Sequence, residues 1–506
     1  MKAKTLALLS AAGMLLTSVS VYSLTPAGGV HWDKGNEAIA TDIPEKVDEP
    51  TKPQSELGRF LSGSTVTVDG RVGNAKMVKN ARGETFLMLE LKGSDAENGK
   101  VAAPVNLSLV IDRSGSMRGT RLANAMNAAI AAVDRLHDGD VVSVLSFDTR
   151  TQVVVPPQTI APGVRERIAA DIRGISLGGD TCISCGIEDG MAQIERTVGK
   201  VNRMIVLSDG EATAGVRDVP TFRSIAQRAR DRGVAITTIG VDVDYNEKVM
   251  AAIAQESNGR HYFVENDAAL SKVFEQEAEG LGATVASNVQ ATIELGPDVE
   301  LDRVYDRSFQ RVGSSVVVPL GTFSRGDTKS ILMKVRLPAR ADSTLPVANV
   351  ELTYRDLLSG NEGKCSGKLA VELVDSASEA SELDALVAGR VQRSETASVL
   401  QSANSLFAQG RIDEARRKLE EQAVNVRKVA TASKPKAPSG RAKDLDRDFE
   451  SQIAALDRAS TGFATPPTSA PQAGASPAPA APPPQNSRQG KGAVRKNAEV
   501  ANDFGL

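Results

Sequence analysis

The sequence predicts a doubly wound α/β domain with a mostly parallel sheet, inserted into a β-sandwich and followed by a helical C-terminal region. Three observations predict this fold. Apolar runs alternate with helix-like segments between residues 105 and 280, β-rich segments flank that stretch on both sides, and residues 378–456 have helical composition and spacing. With 506 residues, the chain is several times longer than a typical domain of about 100 to 150 residues, so we expect more than one hydrophobic core.

The predicted α/β domain spans residues 101–280. Its strand-like runs at 105–111, 141–147, 204–207 and 234–241 lack clean alternation, as expected of parallel strands covered on both faces. The segments between them, such as 122–136 and 222–232, place apolar residues three and four positions apart, which indicates amphipathic helices.

The flanking regions, 62–100 and 281–375, are predicted to form a single β-sandwich. Residues 64–69 and 85–91 form two strand-like segments, and about five more follow residue 280. Because two strands alone bury too little apolar surface, the first pair needs a sheet to join. We therefore predict that strands from both sides of the α/β domain meet in the sandwich.

The C-terminal part divides into a helical region at 376–461 and a Pro/Ala-rich tail at 462–506 that is predicted to be disordered. Gln409-Gly410-Arg411 interrupts the helical pattern and predicts a hairpin. Residues 406–415 look like the middle of a tetratricopeptide repeat, but a single unit cannot form the stacked array that such repeats need. An ordinary packing hairpin is the simpler interpretation.

The N-terminus has the layout of a secretory signal at residues 1–23. Lys2 and Lys4 precede an apolar run and several small residues, so we expect export to the periplasm or the extracellular space. An uncleaved helix anchored in the inner membrane is the alternative, since residues 6–24 approach the roughly 20 residues that a membrane span needs. Residues 24–61 are polar and Pro-containing, which predicts a disordered linker.

Bulk composition excludes two classes of protein. The hydrophobic fraction of 41% and the mean hydropathy of −0.19 do not fit a protein with many membrane spans. The 60 basic and 63 acidic residues give a net charge of −3, which argues against a nucleic-acid partner bound through phosphate neutralisation.

Oxygen-bearing side chains cluster where the predicted strands end. Asp112 directly follows the first strand of the α/β domain, with Ser114 and Ser116 in the same turn. Asp209 follows a later strand, and Thr181 offers a hydroxyl from another loop. The carboxyl ends of parallel strands share one sheet edge, and hard oxygen ligands select Mg²⁺, Ca²⁺ or Mn²⁺. A divalent cation, Mg²⁺ first among these, would also relieve repulsion among Asp112, Asp180 and Asp209.

The segments 109–117 (Leu-Val-Ile-Asp-Arg-Ser-Gly-Ser-Met), 177–181 (Leu-Gly-Gly-Asp-Thr) and 205–211 (Ile-Val-Leu-Ser-Asp-Gly-Glu) resemble the bacterial branch of the von Willebrand factor A domain. The resemblance covers residues 105–280 and implies a metal-ion-dependent adhesion site. It implies that an ion is held by five residues, with one coordination position open to an acidic residue of a protein partner. These residues are Asp112, Ser114, Ser116, Thr181 and Asp209.

Asp180 departs from the pattern of similar bacterial domains, which usually have a small residue before the metal-site threonine. An extra carboxylate there could tighten ion binding or occupy the place of the partner. We hypothesise that Asp180 tunes the affinity of the site.

Two of the three cysteines, Cys182 and Cys185, follow Thr181 at a spacing that one helical turn can bridge with a disulfide. A local clamp that holds the Thr181 loop is one interpretation. A redox centre is the other, because a helix N-terminus lowers the pKa of a thiol. Cys365 is left over and is predicted to be buried.

Enzyme motifs give little support to a catalytic function. None of the three histidines adjoins the Asp-Ser cluster, and the sequence has no phosphate-binding G-x-x-x-x-G-K-[ST] loop. The predicted function is therefore metal-dependent adhesion to a protein, without enzymatic activity. Two alternatives stay open: a periplasmic thiol-disulfide protein that uses Cys182 and Cys185, and an envelope scaffold with an architectural ion.

Overall fold

The structure is a computed structural model that describes residues 54–95, 103–195, 200–209, 211–242, 245–264, 267–463 and 484–505. The predicted signal peptide or anchor at 1–23, and residues 24–53 of the linker predicted at 24–61, lie outside these residues. The prediction of a disordered linker is wrong for residues 54–61, because residues 54–56 and 59–63 form two paired strands and Phe60 is buried in a hydrophobic core. In the described part of the chain, no helix is long and apolar enough to cross a membrane.

Five described strands precede the α/β domain. They are β1 (Gln54–Glu56), β2 (Arg59–Gly63), β3 (Val66–Val72), β4 (Lys76–Val78) and β5 (Gly83–Gly93). The predicted pair at 64–69 and 85–91 corresponds to β3 and β5, which pair antiparallel.

The α/β domain follows in the order expected for alternating strands and helices. Its elements are β6 (Val105–Asp112), α1 (Thr120–Asp134), β7 (Val141–Phe147), β8 (Thr151–Thr159), α2 (Val164–Arg173), α3 (Ile183–Ile194), β9 (Val201–Ser208), α4 (Val219–Asp231), β10 (Val234–Val241), α5 (Glu247–Glu256), β11 (His261–Val264) and α6 (Asp267–Gly282). The sheet order is β11-β10-β9-β6-β7-β8, and only the edge strand β8 runs antiparallel to its neighbour.

Helices cover both faces of this sheet, which explains the uninterrupted apolar strands. Leu109 and Ile111 of β6 pack in a core with residues of α1, α2 and α6. Val110, between them, points to the opposite face and packs in a core with residues of α3, α4 and α5. The predicted doubly wound α/β fold is confirmed.

Seven described strands follow the α/β domain. They are β12 (Thr284–Leu295), β13 (Glu300–Tyr305), β14 (Gln310–Val312), β15 (Ser315–Ser324), β16 (Thr328–Leu337), β17 (Thr344–Asp356) and β18 (Glu362–Val374). One six-stranded sheet has the order β1-β2-β3-β5-β16-β13, and the other has the order β14-β15-β12-β17-β18-β4.

These two sheets share one hydrophobic core. Phe60 and Leu89 from the first sheet pack in a cluster with Ile293 and Leu352 from the second. The α/β domain lies between β5 and β12 in the chain, so it is inserted into a sandwich that both flanks build, as the sequence predicted.

The helical region contains α7 (Ala385–Ala408), α8 (Ile412–Ser433), α9 (Ala442–Gly462) and α10 (Arg488–Gly505). Gln409-Gly410-Arg411 joins α7 to α8, and Gly410 adopts a positive φ of 78° that suits this tight connection. Met88 of β5 and Leu332 of β16 point away from the sandwich core and pack against these helices. One sandwich sheet is therefore buried on both faces.

The prediction of a disordered tail through residue 506 is wrong for residues 484–505. Here α10 packs on α7, and Ala501 and Phe504 belong to the core of the helical region. The Pro-rich composition of residues 466–484 dominated the sequence pattern, whereas Ala498, Ala501 and Phe504 have the three-residue spacing of a buried helix face.

Candidate metal centre

Four neighbouring parallel strands end at aspartates on one edge of the α/β sheet. Asp112 is the last residue of β6, and Asp148, Asp209 and Asp242 directly follow β7, β9 and β10. All four residues are buried, with 0% exposure for Asp112 and 2% for Asp209. The sheet topology thus concentrates acidic groups at the edge where ligands bind in open α/β folds.

The Asp112 carboxylate is held at both oxygen atoms. The Ser114 backbone N–H donates to Oδ1 at 2.8 Å, and the Ser208 hydroxyl donates to Oδ2 at 2.5 Å. Burial raises the pKa of Asp112 to about 6, even though these hydrogen bonds from Ser208 and Ser114 oppose the shift, and the nearby Asp209 charge raises it further.

A chain of hydroxyls connects this turn to Asp209. The Ser114 and Ser116 hydroxyl oxygens lie 2.9 Å apart, and the Ser116 hydroxyl donates to Asp209 Oδ1 at 2.7 Å. Four of the five predicted ligands, Asp112, Ser114, Ser116 and Asp209, therefore belong to one cluster.

The loop that carries Thr181 adjoins the Ser114–Ser116 turn. The Gly115 N–H donates to the Gly179 carbonyl at 2.9 Å, and the Gly178 N–H donates to the Arg113 carbonyl at 2.7 Å. Thr181 is 3% exposed, and its N–H donates to the Thr213 hydroxyl at 2.8 Å. The fifth predicted ligand lies on a loop that is joined to the metal-site turn through backbone hydrogen bonds.

Asp148 supports both of these loops. Its carboxylate accepts from the Gly179 N–H at 3.0 Å and lies 3.3 Å from the Arg113 guanidinium. Burial opposes ionisation of Asp148, but its backbone hydrogen bonds and Arg113 outweigh burial and lower its pKa. A Cβ at Gly178 would lie 1.8 Å from an Asp148 carboxylate oxygen, so this close approach requires glycine.

Arg121 of α1 balances part of the acidic charge. Its guanidinium donates to Asp209 Oδ2 at 2.8 Å and also pairs with Asp242. Asp242 receives a second cation, Arg488 of α10, at 2.9 Å. The C-terminal helix therefore begins at the border of the candidate site.

Asp180 lies on the exposed side of its loop. Its backbone N–H donates to the Thr149 hydroxyl at 3.0 Å. Its effect on ion affinity stays a prediction.

The Cys182 and Cys185 sulfurs form a disulfide in the structure, with their Cα atoms 5.3 Å apart. Cys182 is buried and forms the N-cap of α3, directly after Thr181. The bridge thus joins the Thr181 loop to the first turn of α3. Cys365 is a free, buried cysteine.

The donor set at this edge fits a hard divalent cation. Within the described residues, no three His, Cys, Asp or Glu side chains are arranged to hold a metal ion by themselves, so an ion site requires hydroxyl ligands as well. Asp112 and Asp209 supply two carboxylates, and Ser114, Ser116 and Thr181 supply three hydroxyls. These are oxygen ligands of the kind that Mg²⁺ and Ca²⁺ prefer.

Several residues of the site were not predicted from the sequence. Ser208, Asp148 and Asp242 stand at or directly after strand ends, so the rule that identified Asp112 and Asp209 could have identified them too. Arg121 and Arg488 carried no such signal, because only the tertiary structure brings α1 and α10 to these aspartates.

Open α/β domains bind ligands at the carboxyl ends of their parallel strands. The Asp, Ser and Thr side chains described above lie at this edge of the sheet. Residues 106–276 match the von Willebrand factor type A domain family, and this chain therefore contains a domain of that family. The resemblance inferred from residues 109–117, 177–181 and 205–211 is confirmed for the family.

Relatives match parts of the chain. An uncharacterised Synechocystis protein is 27% identical over 281 residues, which cover 53% of this chain and 66% of the relative. The uncharacterised protein YfbK of Escherichia coli is 28% identical over 217 residues, covering 42% and 37%. A human inter-alpha-trypsin inhibitor heavy chain is 26% identical over 202 residues, covering 38% and 21%. The chain spans less than two thirds of each of these relatives, and none of the three names is that of an enzyme.

Similar solved structures extend beyond the α/β domain. A von Willebrand factor type A protein from Catenulispora acidiphila has a TM-score of 0.62 at 15% identity, and the match covers 80% of this chain and 92% of that one. The ArnB paralog of Sulfolobus acidocaldarius has a TM-score of 0.52 at 17% identity, covering 78% and 98%. These matches show that the fold is shared.

Proposed function

We propose that this chain is an exported protein that captures an acidic residue of a partner protein at a divalent-cation site. The ligands in this proposal are Asp112, Ser114, Ser116, Thr181 and Asp209, and Mg²⁺ is the expected ion. The observation that carries the proposal is the hydrogen-bonded chain from Asp112 through Ser114 and Ser116 to Asp209 on the ligand-binding edge of a von Willebrand factor A fold.

The cluster combines buried carboxylates with one exposed hydroxyl, that of Ser116. Asp112 and Ser114 are buried, whereas Ser116 is exposed. A partner can approach from the Ser116 side without any rearrangement of the strands. Bound there, a divalent cation would supply positive charge and an open coordination position for a carboxylate of the partner.

Neighbouring residues would hold the ligands in place. Arg121 orients Asp209 by donating to Oδ2 of its carboxylate, while Ser116 donates to Oδ1 of the same group. Asp148 holds the loop before Thr181, and the Cys182–Cys185 bridge holds the residues after it. Ligands fixed in advance lose less conformational entropy on binding, which favours affinity.

The proposed location is the periplasm or the extracellular space, and it rests on the signal-like N-terminus. The same proposal includes an alternative to cleavage, in which residues 6–24 stay attached and anchor the chain in the inner membrane. Localisation in cell fractions, combined with N-terminal sequencing of the mature protein, tests it. A mature chain that begins near residue 24 supports export with cleavage, whereas a cytosolic chain that keeps Met1 contradicts export.

Capture from an envelope extract tests the adhesive function. The immobilised chain should retain a partner in the presence of Mg²⁺ and release it to a chelator, and an excess of an aspartate-containing peptide should block capture. Asp112→Ala should abolish retention, whereas Asp171→Ala, at an exposed position of α2, should retain the partner as the unmodified protein does. Equal retention by the Asp112 variant would contradict the proposal.

The disulfide supplies a second arm of the experiment. Cys185→Ser should weaken capture only modestly, because the cysteine pair supports the loop and does not contact the partner in this proposal. If Cys185→Ser abolishes retention of the partner while Asp112→Ala leaves it unchanged, a thiol-disulfide function replaces the proposed adhesive function.

A further inference from the structure

A cavity of about 310 Å³ lies where the α/β domain, the sandwich and helices α7 and α10 meet. We propose that this junction cavity binds a small phosphate-bearing anion. It is separate from the candidate metal centre, since Arg203 lines it from near the start of β9 whereas Asp209 follows the end of that strand. The inference is therefore independent of the proposed adhesive function.

Positive charge predominates in the lining of the junction cavity. Six of its side chains are basic, five of them arginines, and three are carboxylates. The basic residues are Arg203, Arg260, Arg303, Arg307, Arg325 and Lys329, and the carboxylates are Glu277, Asp306 and Asp327. His261 also lines the cavity, but burial lowers its pKa to about 3, so it contributes no charge near neutral pH. An enclosed excess of positive charge is costly unless an anion or solvent compensates for it.

Two of the three carboxylates are engaged by groups outside the set of lining basic residues. Glu277 accepts from the Thr237 hydroxyl at 2.7 Å and from the Tyr262 hydroxyl at 2.8 Å. Asp306 accepts from Arg390 of α7 at 3.1 Å. Arg390 adds a positive charge beside Asp306, whereas the neutral hydroxyls leave the charge of Glu277 in place, so three carboxylates do not balance the basic side chains around the cavity.

Lys329 shows the combined effect of burial and of this excess. Its ammonium group donates to the Leu320 and Thr322 carbonyls at 2.8 Å each and lies 4.8 Å from the centre of the Phe323 ring. Burial lowers the pKa of Lys329 to about 7, and the neighbouring Arg307 lowers it further. The local field thus resists another cation and would favour an anion.

Arg203 supplies donors that lack good protein partners. It is 9% exposed, and among the described residues its buried Nε has no hydrogen-bond partner. Its other contacts are long, at 3.4 Å to the Thr322 hydroxyl and 3.9 Å to Glu277. The amide nitrogen of Asn258, which also lines the cavity, is likewise buried without a described partner. Buried donors of this kind normally find an acceptor.

Phosphate is the anion class that matches this lining. The planar guanidinium group forms paired hydrogen bonds to phosphate oxygens, and five of the six basic residues are arginines. A ligand with two or more negative charges would offset the excess that the carboxylates leave. A volume of about 310 Å³ suits a small phosphorylated metabolite and excludes a macromolecular segment with its own fold.

Calorimetric titration of the full chain with inorganic pyrophosphate tests the proposal, with citrate as a carboxylate anion of similar charge. Both titrations use divalent-free buffer at matched ionic strength, so that metal complexes do not contribute. Pyrophosphate should bind more tightly than citrate and should raise the Tm. Arg203→Gln and Arg260→Gln should each weaken pyrophosphate about tenfold, which corresponds to the loss of one charge-assisted hydrogen bond.

Arg232→Gln is the matched control, because Arg232 is an exposed arginine at the end of α4 and does not line the cavity. Its pyrophosphate affinity should equal that of the unmodified chain. Arg260 is half exposed, so its variant should fold even if the Arg203 variant does not. No pyrophosphate binding at millimolar concentration, equal weakening by Arg232→Gln, or tighter binding of citrate would each overturn the proposal.

Discussion

The Asp112 carboxylate is fully buried beside a second aspartate, Asp209, and its hydrogen bonds come from the neutral groups of Ser114 and Ser208. A group in such surroundings is destabilising when it is ionised, and its pKa of about 6 reflects that cost. Residues that bind ligands often lower the stability of the unliganded protein in this way.

Replacing Asp112 with Asn should therefore stabilise the metal-free protein. The pKa of Asp112 is higher in the folded than in the unfolded chain, so ionisation costs stability as the pH rises from about 4 to about 6, and the full cost is present at pH 8. Asp112→Asn should raise the free energy of unfolding by about 1–2 kcal/mol at pH 8, with little change near pH 3.5. Urea titrations at both pH values, with Asp171→Asn as the control, check this. A less stable variant at pH 8 would show that hydrogen bonding outweighs charge burial.

At the residue scale, the sequence predicts the aspartates and serines of this site better than the arginines that pair with the aspartates. Asp112, Ser114 and Ser116 are close in the chain, and Asp209 follows a recognisable strand, so a simple rule about strand ends brings them together. The positions of Arg121 and Arg488 depend on how α1 and α10 pack, which local patterns do not encode.

Helix α10 connects two parts of the molecule that are distant in sequence. Arg495 donates to the Tyr245 carbonyl of the α/β domain at 2.8 Å, and its guanidinium lies 4.9 Å from the centre of the Tyr245 ring. On α7, the Asn404 side chain donates to the Val494 carbonyl at 2.9 Å. The helix therefore fixes the α/β domain to the helical region.

Phe504 provides much of the apolar contact at the end of α10. It is 5% exposed, and the Arg393 guanidinium lies 5.2 Å from the centre of its ring. Phe504→Ala should lower the free energy of unfolding by about 2–4 kcal/mol, because the change opens a cavity and removes the ring contact. Gln489→Ala, at an exposed position of the same helix, should change it by less than about 0.5 kcal/mol. Urea titration compares the two, and a neutral Phe504→Ala would contradict the described packing of α10.

Glu499 of α10 makes the stability of the protein depend on pH. Burial raises the pKa of Glu499 to about 7, although a hydrogen bond from the Phe263 N–H at 3.4 Å opposes the shift. Ionisation therefore weakens folding as the pH rises from about 4.5 to about 7. Glu499→Gln should stabilise the protein by about 1–2 kcal/mol at pH 8 and have little effect at pH 4, as measured by urea titration at the two pH values. Equal effects at both would show that Glu499 has no raised pKa.

At the scale of elements, buried regular segments were the most predictable. The predicted strands at 141–147 and 234–241 coincide with β7 and β10. Strand β8 was missed because it is an antiparallel edge strand in which only Val155 is buried and which contains two prolines, Pro156 and Pro157. Helix α10 was missed because the adjacent proline-rich segment set the composition of that region.

At the scale of the molecule, one buried side chain, Arg390, connects parts that are far apart in the sequence. Arg390 of α7 donates to Asp306 of the sandwich region at 3.1 Å, to the Ser330 hydroxyl of β16 at 2.6 Å and to the Phe504 carbonyl of α10 at 3.0 Å. One side chain therefore links the sandwich to the first and last helices of the helical region.

Arg390→Met should destabilise the whole chain, because it leaves the half-buried Asp306 without its guanidinium partner. A loss of about 3 kcal/mol is expected in urea unfolding followed by circular dichroism. Arg458→Met, at an exposed position of α9, serves as the control and should be nearly neutral. An equally small effect of both substitutions would show that Arg390 does not hold these parts together.

The insertion of one domain into another could be predicted because a strand pair without a sheet must find partners elsewhere in the chain. The arrangement of the sandwich strands could not. Strand β4 pairs in parallel with β18 and thereby joins the second sheet, whereas β3 and β5 join the first. Which of the two sheets a strand joins depends on how its side chains pack against the opposite sheet. The pattern of residues within one strand does not contain this information.

The central claim is that the Asp112 cluster binds a divalent cation, and calorimetric titration of the full chain with Mg²⁺ tests it most directly. We predict one binding site per chain, a rise in Tm on Mg²⁺ addition, and loss of both effects in Asp112→Asn but not in Asp171→Asn. Mg²⁺ binding that is unchanged in Asp112→Asn, or no binding to the unmodified protein at millimolar Mg²⁺, would contradict the claim.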